Sequence, residues 1–132
     1  MRPYTVYSTY ILTNWTKTVL YTGYTNNLPA RLVEHWLKSK KSFTAAYQVC
    51  YLVWFEDTKH VLNAQALEKQ IKKYTRRQKE DLINALNPQW NFLNAGILGN
   101  WPPTPEQTAA FKKARGWDKS NDTETNNDST HL

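Results

Sequence analysis

The chain has 132 residues, a single cysteine and a formal net charge of +6, which suits one domain with one core and excludes an internal disulfide or a CxxC zinc site. The charge is uneven, because residues 1–117 carry 16 basic against 7 acidic side chains and residues 118–132 carry four acids against Lys119. A basic body with an acidic tail points to a polyanionic partner, nucleic acid ahead of a membrane surface.

Residues 5–12 and 18–24 are rich in Thr, Val, Tyr and Ile, which suit a pleated surface, and Asn14-Trp15-Thr16-Lys17 between them has turn character, so an antiparallel hairpin is expected. Centring the turn near residues 15–16 sets Tyr10 nearly opposite Tyr21 on one sheet face. Asn26-Asn27 offers an N-cap for a helix over 28–39, with Pro29 in the first turn where its missing N–H is harmless. Leu28, Leu32 and Trp36 share one face of it, and Arg31 and His35 share another. A basic loop with Lys40 and Lys41 comes next, flanked by Trp36 and Phe43.

Residues 47–56 are apolar almost throughout and read as a central strand, with Cys50 a small core hydrophobe. Asp57 or Thr58 is expected to cap a helix over 59–74 that buries Val61, Leu62, Ala66, Leu67 and Ile71. Thr75-Arg76-Arg77-Gln78 has the capping-box pattern and restarts a helix to Leu86, which Asn87-Pro88 ends. A second such signal at Thr104-Pro105-Glu106-Gln107 starts a short helix ending near Arg115-Gly116. Residues 118–132 contain no apolar residue before Leu132 and are expected to be disordered. The reading is thus a domain over 1–93, an extension with a short helix over 94–117, and an acidic tail over 118–132. No apolar run nears the roughly 18 residues of a membrane span, and the N-terminal stretch has no signal-peptide core, so a cytoplasmic protein is expected.

Four residues within the first 35 supply chemistry: Tyr10, Tyr21, Arg31 and His35. Eight tyrosines make any single one more often a packing residue, and Tyr10 and Tyr21 gain weight only from Arg31 and His35 downstream of them. Two hydroxyls on one face can position a water, but a tyrosine acts as a base only if neighbouring positive charge lowers its pKa from about 10. Arg31 and His35 are the candidates for that charge. A guanidinium also matches phosphate oxygens in two-point contact, and an imidazole accepts a proton near neutral pH. Glu68 reads first as one half of an i, i+4 pair with Lys72 on a solvated face. As a metal ligand it would be a single carboxylate whose ion keeps its waters and binds phosphate. Lys69, Lys72, Lys73, Arg76 and Arg77, together with Lys40 and Lys41, are candidate contacts to a nucleic-acid backbone.

With these residues in place the chain resembles the GIY-YIG endonuclease superfamily, particularly its small single-domain bacterial members. The resemblance rests on Thr9-Tyr10-Ile11, Tyr21-Thr22-Gly23, Arg31 and His35 within 27–35, Phe43-Thr44-Ala45-Ala46-Tyr47, Leu52-Val53-Trp54-Phe55-Glu56, Glu68 within 68–72, and Asn87-Pro88-Gln89-Trp90-Asn91. It covers residues 5–93 and leaves 94–132 outside. It implies an α/β (α+β) fold, a three-stranded antiparallel sheet flanked by helices in the order β-β-α-β-α-α. It also implies metal-dependent cleavage of DNA at one active site. Tyr10 and Tyr21 would line the attacking water, one of them serving as general base. Arg31 would bind the scissile phosphate, His35 would assist proton transfer, and Glu68 would be the only protein ligand of Mg²⁺ or Mn²⁺. The family's asparagine near the domain end would be Asn91, with Asn87 second. The departures are Thr9 in place of the first glycine and a longer Glu68-to-Asn91 interval than in excision-repair nucleases. The rival readings are a catalytically inactive nucleic-acid-binding module of the same fold and, for residues 94–132, a protein-interaction segment.

Overall fold

The structure, a computed structural model, describes residues 5–41 and 48–117. Three strands, β1 (Tyr7–Thr13), β2 (Leu20–Thr25) and β3 (Tyr51–Thr58), form one antiparallel sheet in the order β2-β1-β3. The helices are α1 (Leu28–Ser39), α2 (Val61–Lys72), α3 (Arg76–Leu86), α4 (Asn94–Leu98) and α5 (Pro105–Ala114). This is the expected fold class.

The hairpin turn is longer than its sequence suggests, and that changes the register. Asn14 holds the turn through its side chain: Oδ1 accepts from the amides of Thr18 at 2.8 Å and Val19 at 3.1 Å, and Nδ2 donates to Thr18 Oγ1 at 2.8 Å. β2 therefore begins only at Leu20. Tyr10 then faces Gly23, and Tyr21 faces Leu12, so the two tyrosines are diagonal rather than opposite.

The apolar run at 47–56 is expected to be the central strand, but β1 takes that place and β3 is an edge. Its apolar character reflects cover on both faces. Leu52 packs with Tyr10, Leu12, Leu28 and Leu32 on the α1 side, whereas Val53 and Trp54 pack with Ile11, Ile71 and Ile83 on the α2 and α3 side. A bulge between Ile11 and Leu12 leaves Val53 unpaired and turns it to the second face. Full burial of Ile71 and Ile83 contributes about 2 kcal/mol each. The free edge of β3 is closed by the chain after α3. Asn87 Nδ2 donates to Val53 O at 2.9 Å, Leu93 N donates to Leu52 O at 2.8 Å, Asn94 Oδ1 accepts from Leu52 N at 2.8 Å, and Asn94 Nδ2 donates to Cys50 O at 2.8 Å. Amide side chains thus stand in for a fourth strand along the first part of the β3 edge.

Local signals hold for α1, α3 and α5. Asn27 caps α1 by accepting from Ala30 N, and Thr75 and Thr104 form complete capping boxes with Gln78 and Gln107. α2 departs from expectation. β3 runs on to Thr58, which pairs with Tyr7, so the helix starts at Val61 after His60. Its buried residues are Ala64 and Ile71, with Val61, Leu62 and Ala66 exposed. Residues 64, 67, 68 and 71 form the inward stripe, and Thr9 Oγ1 donates to Ala64 O at 3.0 Å. Residues 94–117 pack back on α1 through α4 and α5, with Phe111 buried. The expectations for Phe43, for Thr44 to Tyr47 and for the acidic tail lie outside the described residues.

Candidate active site

The strand β2 is an edge, and a cleft of about 480 Å³ opens along it. Tyr10, Tyr21, Gly23 and Arg31 line the cleft from the α1 side, and Tyr24 and Glu68 line it from the α2 side. Four expected site residues on four different elements therefore meet in one place.

Tyr10 forms the floor and is fully buried, while Tyr21 is 38% exposed at the wall. Their ring centroids are 6.4 Å apart. The diagonal arrangement depends on Gly23: a Cβ there would stand 2.6 Å from the Tyr10 hydroxyl and 2.8 Å from Cζ. A glycine inside a strand marks such a close approach. Gly23 is thus a site residue in its own right, where the sequence motif alone presents it only as a neighbour of Tyr21.

His35 lies behind the tyrosines, with Nε2 3.3 Å from the Tyr10 hydroxyl and its ring 5.3 Å from that of Tyr21. Burial, with Arg31 and Lys38 acting in the same sense against the opposing charge of Glu34, pushes its pKa down to about 4. It is therefore neutral near pH 7 and cannot be the positive charge that lowers a tyrosine pKa. Burial also raises Tyr10 well above the usual tyrosine value despite the opposing Arg31 guanidinium. Both groups sit in their uncharged forms.

Arg31 is fixed by a carboxylate hub. Its Nε lies 3.4 Å from Glu34 Oε1, an ion pair whose geometry makes no hydrogen bond. Glu34 also pairs with Lys38 at 3.1 Å and Arg115 at 3.5 Å. Burial would raise the Glu34 carboxyl, but these three cations hold it below its usual value. The extension beyond α3 thus reaches the residue that orients Arg31.

The solvated face expected for Glu68 holds only in part. Glu68 does pair with Lys72 at 2.9 Å, but its side chain is only 17% exposed, because it falls on the inward stripe of α2. Asn91 does not line this cleft. Its side chain is exposed, and its backbone amide donates to Asn87 Oδ1 at 3.1 Å. Asn87 is turned to Val53 O and Asn91 O, closing β3.

Lys69, Lys72 and Lys73 are exposed on and just after α2, and Lys40 and Lys41 come directly after α1. Arg76 differs from them. It donates to Lys17 O at 3.0 Å and Thr18 O at 2.8 Å, and pairs with Glu80 at 3.0 Å, so it pins the hairpin turn. Arg77 is exposed and lies 3.6 Å from Asp81.

The family model described as the GIY-YIG catalytic domain matches residues 6–81. A UPF0213 protein of Clostridium perfringens (strain 13 / Type A) is 41% identical over 66 residues, which is 50% of this chain and 71% of that protein. No solved structure matches the chain at a significant level. Among the described residues no helix is long and apolar enough to cross a membrane.

Proposed function

The chain belongs to the GIY-YIG catalytic-domain family, and on that premise we propose that it is a cytoplasmic, metal-dependent endonuclease that hydrolyses DNA phosphodiester bonds in the β2 cleft. The observation that supports this most directly is the convergence of Tyr10, Tyr21, Arg31 and Glu68 on one cleft, with His35 behind.

Glu68 is the carboxylate of the cleft, and no cluster of three or more His, Cys, Asp or Glu stands ready for a metal among the described residues. One carboxylate among phenol hydroxyls suits a hard cation that keeps most of its waters, Mg²⁺ or Mn²⁺, and does not suit zinc. When bound, that ion neutralises charge on the phosphate oxygens. Glu68 holds it, and the i, i+4 pair with Lys72 is weak enough, about 0.5 kcal/mol, to yield.

Arg31, preset by Glu34, presents its guanidinium to the scissile phosphate and stabilises charge that builds on the oxygens in the transition state. Tyr21, the exposed phenol, orients the attacking water. The proton leaving that water passes by way of the tyrosine hydroxyls toward the neutral imidazole of His35, which lies 3.3 Å from the Tyr10 hydroxyl. Lys40, Lys41, Lys69, Lys72, Lys73 and Arg77 contact the phosphate backbone on either side.

The test is nicking of supercoiled plasmid by wild type, Glu68→Ala and Arg31→Ala, with Mg²⁺, with Mn²⁺ and with EDTA. Metal-dependent nicking lost in both variants is expected. Salt-dependent DNA retention without nicking, alike in all three proteins, would establish a binding module instead.

A further inference from the structure

Five aromatic rings run without a break around the hairpin end of the sheet. Trp15 meets Phe92 at 5.6 Å between centroids, Phe92 stacks on Tyr51 at 4.4 Å, Tyr51 meets Trp101 at 6.5 Å, and Trp101 meets Trp36 at 5.6 Å. None of the five is fully buried, and Trp15 at the hairpin tip is 64% exposed. Phe92 and Trp101 also pack against the core, so the strip grows out of it and ends in the open at Trp15. Two lysines stand over the strip: Lys17 Nζ is 5.3 Å from the Phe92 centroid, and Lys40 Nζ is 5.5 Å from that of Trp36.

The tip that carries Trp15 is also held still. Asn14 bonds to Thr18 and Val19 from within the turn, and Arg76 clamps the carbonyls of Lys17 and Thr18 from α3. A mobile tip would lose entropy on ordering a ring against a ligand; this one presents its ring already ordered.

We propose that this strip binds an unpaired stretch of nucleic acid, with a base stacked on the exposed Trp15 ring and phosphates at Lys17 and Lys40. Every base has a face that stacks on an aromatic side chain, and interleaved cations meet the backbone between stacked bases. In an intact duplex those faces are already stacked on one another, so the strip selects for single-stranded segments. It also lies near the cleft. Tyr51 pairs with Thr13, and Thr13 with Leu20, the residue before Tyr21, which places the strip two strand spacings, about 10 Å, from the cleft wall. The substrate class is then a nucleic acid with a single-stranded arm next to the cut phosphate. This deepens the nuclease reading and rests on it for the choice of nucleic acid as partner.

The experiment measures binding of the full chain in EDTA, where nothing is cut. Fluorescence anisotropy tracks a single strand of about 12 nucleotides, a length within the site sizes of such strips, and the blunt duplex of the same sequence. Wild type, Trp15→Ala and Lys17→Gln are compared, and circular dichroism checks that each is folded. Trp15→Ala is expected to weaken single-strand binding about five- to 150-fold while duplex binding stays within about twofold. Lys17→Gln is expected to lower the salt slope on the single strand by about 0.7. Equal losses on both ligands, no loss on either, or no nucleic-acid binding at all would overturn the proposal, the last in favour of a protein partner. Binding that behaves as expected in a protein that never cuts DNA would overturn the nuclease reading and leave the strip standing.

Discussion

The hydroxyl of Tyr10 lies 3.3 Å from Nε2 of His35, and burial keeps both groups uncharged. The pair is a contact between two neutral groups rather than an ion pair. In the nuclease reading proposed above, Tyr10 is the link between the imidazole and the cleft.

Stability should therefore depend on His35 at mildly acid pH. The folded chain binds a proton there only near pH 4, whereas an unfolded histidine does so near 6.5, so the unfolded state takes up the proton first as pH falls. Stability is fully present above about pH 6.5, declines between there and about pH 4, and loses at most about 3 kcal/mol from this group. Glu34, held below its usual 4.5 by its cations, adds a further loss from about pH 4.5 downward. Urea unfolding at pH 7.5, 5.5 and 4.5 should show the decline in wild type and a flatter profile in His35→Gln. Parallel profiles would refute it.

Gly23→Ala should damage site and fold together. The new methyl would meet the fully buried Tyr10 at 2.6 Å from its hydroxyl and 2.8 Å from Cζ. Overpacking of this kind costs about 1–3 kcal/mol, and displacement of the phenol should lower cleavage by about tenfold or more. Gly96→Ala is the matched control, because nothing lies within 4 Å of a Cβ there. It should be neutral or stabilising by up to about 1 kcal/mol. Thermal melts and nicking rates on both variants decide the matter.

Glu68→Gln separates metal binding from folding. The Glu68–Lys72 pair has one partner 53% exposed, so losing it should change stability by no more than about 0.5 kcal/mol. Cleavage should fall about a hundredfold or more. Millimolar Mg²⁺ should raise the melting temperature of wild type and leave the variant unmoved. A variant that still gains stability from Mg²⁺ would place the ion elsewhere.

Asn91 and Asn94, both beyond the matched residues 6–81, should behave oppositely. Asn94→Ala leaves Leu52 N–H and Cys50 C=O unpaired in a buried place and should cost about 2–4 kcal/mol. Asn91→Ala removes an exposed side chain outside the cleft and should stay within about 0.5 kcal/mol of wild type, with cleavage within about twofold. Loss of nicking in Asn91→Ala with stability intact would restore it as a candidate site residue.

The sequence by itself determined whatever is made of short-range bonds. The caps at Asn27, Thr75 and Thr104 are closed within three residues, so they are legible in the chain and mark where α1, α3 and α5 start. The types and order of Tyr10, Tyr21, Arg31, His35 and Glu68 were legible for the same reason: motif spacing is a property of the chain. Only the tertiary structure decided which surface covers which. An apolar run reports burial without saying by what, so β3 looked central although it is an edge strand closed by Asn87, Leu93 and Asn94. Turn length sets register, and here it depends on one asparagine and on an arginine 58 residues beyond Thr18. The charge of His35 and the facing of Glu68 depend on the elements packed around them, because desolvation and orientation arise only when distant parts of the chain meet.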